Sequence, residues 1–177
     1  MLASAGLTKN DVDVQAAGPT GIWQQFAAGK AHAMATTINW GLDARNAGAK
    51  IRIIRSDTYF PSMAQAIIAS DAMIQKHPEL IQKLVRATVR GMEDIMREGE
   101  GVVADYLAAV PSMKGKEAFL AENITLYIDY VYKGQKVAGA MDPQRLAQVQ
   151  KFYVSQGIVA KESPLDQLYT NQFVQQQ

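Results

Sequence analysis

"DVDVQAAGPTGIWQQFAAGKAHAMATTI", residues 11–38, is the stretch on which the fold turns. Its Gly29-Lys30, with Thr36 and Thr37 downstream, has the spelling of a phosphate loop. A P-loop requires Gly, four residues, then Gly-Lys-Ser/Thr, and it joins a strand to a following helix. Here Gln24 stands where the first glycine belongs, and Lys30 is followed by Ala31. Ile22, Trp23 and Phe26 recur at helical spacing behind Thr20, a suitable N-cap. Gly29 therefore closes a helix as its C′ residue, and Lys30 suits the negative helix end. The stretch predicts strand (11–17), helix, strand (31–38), not a nucleotide site.

The pattern continues outward. "NWGLDARNAG" (39–48) predicts a short helix ending at Gly48, and "KIRIIRS" (50–56) a third strand. Strand and helix alternating in this way predict right-handed crossovers and a short parallel sheet, an α/β arrangement. After Ser56 the chain turns helical, apart from a possible strand at 66–69. "SDAMIQKH" predicts a short helix, and a long one opens at Pro78, where proline is tolerated. Leu80, Ile81, Leu84, Val85, Val89, Met92, Ile95 and Met96 form its apolar stripe. Further helices are expected over 101–110, 116–132 and 143–156, the last capped by Asp142 and stopped by Gly157. A final helix is expected after Ser163-Pro164.

The 177 residues include 18 basic and 17 acidic side chains, a net charge of +1, and no cysteine. So balanced a charge offers no case for nucleic acid as a partner. Without cysteine there is no disulfide, thiolate metal site or cysteine nucleophile. No apolar run approaches a membrane span, and the first residues lack the pattern of a signal peptide. Any export signal is expected on a longer chain. No paired carboxylates, Ser/His/Asp order or Gly-rich phosphate loop stands out, so neither catalysis nor a cofactor is expected.

Several strings, in order, carry a resemblance: "GLTKNDVDVQ" (6–15), "FAAGKAHAMATT" (26–37), "YFPSMAQAIIASDAMIQKHPELIQKLVRATVRGMEDI" (59–95), "GAMDPQRLAQVQKFYVSQGIV" (139–159) and "LYTNQFV" (168–174). Together they resemble the later part of periplasmic substrate-binding proteins of ABC transporters, in the branch serving nitrate, sulfonates, taurine and thiamine-type pyrimidines. "GKAHA" stands where members commonly have Gly-x-x-Asp-Ala, with His32 in place of the usual Asp. The resemblance implies a type II periplasmic-binding-protein-like fold with two α/β lobes and a ligand between them. It implies that residues 1–56 belong to the second lobe and 57–177 to the mostly helical part of the first. The first-lobe strands that usually precede are absent, so a truncated receptor is expected.

The same resemblance implies an extracytoplasmic protein, a small anionic or heteroaromatic ligand, and an ABC permease as partner. A related enzyme, the thiamine-pyrimidine synthase, carries a cysteine-rich motif that this chain lacks. A helical interaction domain with no small ligand is the remaining alternative.

Two loops qualify as ligand contacts. Pro19, Thr20 and Gly21 lie at a predicted helix N-terminus, where free N–H groups and the dipole favour an anion; the same loop also reads as an ordinary capped turn. Thr37, Asn39 and Trp40 follow the second predicted strand, where an indole can stack and the polar pair can hydrogen-bond; Trp40 reads equally as lobe core. Asp57, Tyr59 and Phe60 fall at the implied crossing between lobes and are expected to be hinge residues. His32 and His77 are too few for a metal. Tyr127, Tyr130 and Tyr132 are expected to cover a helix that members pack against the first-lobe sheet, and self-association through faces left exposed is expected.

Overall fold

Glycines with positive φ set where the helices stop. The computed structural model describes residues 2–59 and 65–174, and the chain divides into two compact units, Met1–Tyr59 and Phe60–Gln177. In the first, α1 (Gly18–Ala27) ends at Gly29, φ +71°. The Gly29 N–H donates to Phe26 O at 3.0 Å and the Lys30 N–H to Gln25 O at 2.9 Å. This pair of bonds is a Schellman cap, which satisfies carbonyls the helix leaves open. Gly48 closes α2 (Ile38–Asn46) in the same way.

Thr20 is not the N-cap of α1. Ala17 occupies that position, and Pro19 falls in the first turn, where its missing N–H costs nothing. α1 packs against α2, and α2 supplies the buried Gly41, Leu42 and Ala44, the last two exposed by only 1% and 0%.

The expected parallel sheet is absent. Among the described residues there is no β-strand: 11–17, 31–38 and 50–56 run as turns and irregular chain, except that Asp11 ends a 3₁₀ turn (Lys9–Asp11), Ile38 opens α2 and 56 begins another 3₁₀ turn, Ser56–Thr58. Residues 66–69 likewise form no strand. The backbone of Val12, Thr37 and Arg55 is extended, so the local preference is expressed and the pairing is not. Val14 is 77% exposed and Ile54 55%. Alternating apolar residues stabilise a strand only when one face is covered, and here nothing covers them.

In the second unit α3 (Asp71–Lys76) is capped by the Ser70 hydroxyl, which accepts the Met73 N–H at 3.3 Å. The 21-residue α4 (Pro78–Glu98) follows. Ile81, Val85 and Val89, one turn apart, are its buried residues, and they cluster with Phe173 and Val174 from the C-terminal segment. Leu80 and Leu84 of the predicted stripe are instead half exposed, at 53% and 50%. Next come α5 (Val103–Ala109), α6 (Glu117–Tyr127) with a π-helical turn to Tyr132, and α7 (Pro143–Ser155). Asp142 caps α7 by accepting the N–H groups of Gln144 and Arg145 at 2.9 and 3.3 Å. The Tyr127 and Tyr132 rings lie 6.1 Å apart, and burial raises the Tyr132 phenol above its usual pKa.

The helix expected after Pro164 shrinks to a 3₁₀ turn, Leu165–Gln167. Tertiary partners claim the polar groups beyond it. Gln82 Nε2 donates to Phe173 O at 2.8 Å. Asn171 Oδ1 accepts the Met141 N–H, and its Nδ2 donates to Met141 O, both at 2.9 Å. Gln150 pairs reciprocally with the backbone of Ser163 at 2.8 and 3.1 Å.

Gly139 is the tightest point over α4. Its φ is +76°, and a Cβ there would lie 2.7 Å from Val89 Cγ2. Gly139→Ala is expected to destabilise the protein by about 2–4 kcal/mol through left-handed strain and overpacking, read by urea denaturation. Adding Val89→Ala relieves only the second part, so a fully additive double mutant would contradict the contact.

Near the start, the Thr8 N–H and hydroxyl both donate to Asp11 Oδ2 at 2.7 Å. These bonds favour the carboxylate and hold Asp11 below its ordinary pKa of 3.8. A depressed folded pKa means the cap is intact above that ordinary value and is lost as pH falls through the lowered one. NMR titration of the Asp11 carboxyl is expected to show a lowered midpoint that returns upward in Thr8→Ala. Identical midpoints would remove the cap from the account.

Candidate functional site

The polar loops of the first unit both feed helix N-termini. Pro19, Thr20 and Gly21 make up the first turn of α1; Asn39 and Trp40 lie in the first turn of α2, with Thr37 at its N-cap. Neither helix has a side-chain cap. Ala17 has no side-chain acceptor to offer, and the Thr37 hydroxyl donates to Asn39 Oδ1 at 2.6 Å and takes no backbone N–H. α3 and α7, by contrast, are capped by Ser70 and Asp142. The first turns of α1 and α2 lie in the positive field of a helix end. Trp40 and Asn39 are half-buried and Thr37 is exposed. An indole so placed keeps part of its ring accessible.

Asp57 sits in the turn Ser56–Thr58 and accepts from Arg55 Nε at 3.0 Å, with a second contact from Arg55 Nη2. Tyr59 follows, 46% exposed, at the end of the first unit. Phe60 lies outside the described residues. His32 is exposed, and His77 stands at the N-cap of α4, 4.0 Å from Glu79. Among the described residues no group of three or more His, Cys, Asp or Glu could hold a metal, and no helix is long and apolar enough to cross a membrane.

A different feature escaped sequence reasoning. The second unit has a cleft of about 340 Å³ lined by Gln65, Ala66, Met141, Leu146, Val149, Tyr153, Leu168 and Tyr169. Its residues come from four separate places in the chain, so no local pattern announces it.

With the geometry established, comparison with known proteins is informative. The family model described as "NMT1/THI5 like" matches residues 1–101, through the first unit and the whole of α4. The chain belongs to the NMT1/THI5-like family. The riboflavin-binding protein RibY of Chloroflexus aurantiacus is 24% identical over 177 residues, aligned with 98% of this chain and 50% of its own length. The chain thus spans about half the length of the curated relative it matches. No solved structure gives a significant match. Membership agrees with the resemblance drawn from the ordered motifs, which pointed to substrate-binding proteins of the ABC-transporter type.

Proposed function

We propose that this NMT1/THI5-like chain belongs to the solute-binding component of an ABC importer, working outside the cytoplasm and handing a small anionic or heteroaromatic compound to a membrane permease. The observation that carries this reading is the alignment with a binding protein along 98% of the chain, through both units. Nitrate, sulfonates, taurine and pyrimidines are the solute class in view, and the relative's name adds riboflavin. Pro19, Thr20 and Gly21 with Thr37, Asn39 and Trp40 are the contacts in this reading: two helix N-termini, whose dipoles favour an anionic edge, and the indole for a ring. Asp57, Tyr59 and Phe60 serve as hinge residues, a role supported by the division of the chain at Tyr59. The protein binds its solute and makes or breaks no bond.

Isothermal titration with taurine, nitrate, a thiamine-type pyrimidine and riboflavin is expected to find binding by at least one. Trp40→Ala should weaken it about 2- to 10-fold, the scale of one aromatic contact. Silence from all four, or an unchanged affinity in the variant, would count against the reading.

Self-association belongs to the same proposal. Leu80 and Leu84 on α4 are half exposed, and Ile67 and Ile68 are exposed by 45% and 92%; apolar side chains so exposed favour a second copy. Sedimentation is expected to show mass rising with concentration, and Leu80→Glu with Leu84→Glu to restore the monomer. A constant monomer mass from micromolar to millimolar would oppose it.

A further inference from the structure

We infer that the cleft of the second unit is a binding site in its own right, for a neutral planar aromatic ring. This goes beyond the receptor reading, which uses residues of the first unit. The volume, about 340 Å³, lies at the lower end of the range of small-molecule sites. None of the lining side chains carries a charge at neutral pH. Tyr153 on α7 and Tyr169 just beyond the turn Leu165–Gln167 line it, with Leu146, Val149 and Leu168 as apolar surface and Gln65 as an amide. An ion entering such a cleft would lose hydration without gaining a charged partner, whereas a neutral ring loses little and gains burial.

The wall formed by Leu168 and Tyr169 is also fixed before any ligand arrives. The reciprocal Gln150–Ser163 pair ties α7 to the chain entering the turn Leu165–Gln167. The reciprocal Asn171–Met141 pair ties the chain leaving that turn to the residue just before the cap of α7. Leu168 and Tyr169 are thus held between two double hydrogen bonds, against the helix that carries Leu146, Val149 and Tyr153. A site ordered in advance spares the ligand the cost of ordering it.

The test uses 2-naphthol, a fluorescent neutral two-ring phenol, and naphthalene-2-sulfonate, the same ring with an anion. Fluorescence titration of the whole chain carrying Trp40→Ala, which removes the ring contact proposed for the first unit, is expected to show saturable uptake of 2-naphthol, with the sulfonate at least tenfold weaker. Ala66→Phe, which fills the mouth from an exposed position, and Tyr153→Ala, which removes a ring, should each weaken 2-naphthol at least tenfold. Circular dichroism checks that each variant is folded, and because Ala66 is exposed its variant does not disturb the core. Equal affinity for the sulfonate, unchanged affinity in both cleft variants, or no uptake at millimolar 2-naphthol overturns the assignment. So does a concentration-dependent mass abolished by Ala66→Phe without naphthol uptake, because a second copy would then be the occupant. A failed naphthol titration leaves the solute titrations of the first unit untouched, so the two readings fail separately.

Discussion

One face of α4 organises the second unit. Ile81, Val85 and Val89 recur every fourth residue, and the chain brings Phe173 and Val174 back across about eighty residues to cover them. Each such side chain is worth roughly 1.5–3 kcal/mol when fully buried, which offsets the entropy of holding a long irregular segment in place. That segment forms neither helix nor ladder, so its backbone polar groups need other partners. Side-chain amides of the helices supply two of them, Gln82 to Phe173 and Gln150 to Ser163, and Asn171 of the segment in turn pairs with the backbone of Met141. Gly139 follows from the same packing, because residues 138–140 lie on α4 with no room for a Cβ beside Val89.

The first unit rests on less. α1 and α2 pack together, and Leu42 and Ala44 are its buried apolar side chains. A sheet would have to gain stability by covering Val14, Ile53 and Ile54, and all three are exposed. The segments keep the φ and ψ of strands at Val12, Thr37 and Arg55 but lack the buried face that makes pairing worthwhile.

What could be read in the sequence follows from this difference between local and distant causes. Gly29, Gly48 and Gly157 end helices because six-residue chemistry suffices, and Pro78 and Asp142 begin them for the same reason. The covering of α4 by Phe173 and Val174 joins residues far apart, and no period in the sequence marks it. Leu80 and Leu84 belong to the apolar stripe by spacing yet face outward, because the covering segment spans only one side of the helix. At the candidate site, the helix N-termini were legible and their capping was not: Thr20 is a good cap by type, yet Pro19 drew the helix start back to Gly18. The uncharged cleft was invisible for the same reason as the core.

The two units therefore present opposite chemistry. The starts of α1 and α2 lie in a positive field, which rewards negative charge. The cleft beside α7 has tyrosines, aliphatic side chains and an amide, which reward a ring and penalise an ion. A single small solute cannot draw equally on both. Charge, more than size, is thus the variable on which the two proposed sites differ.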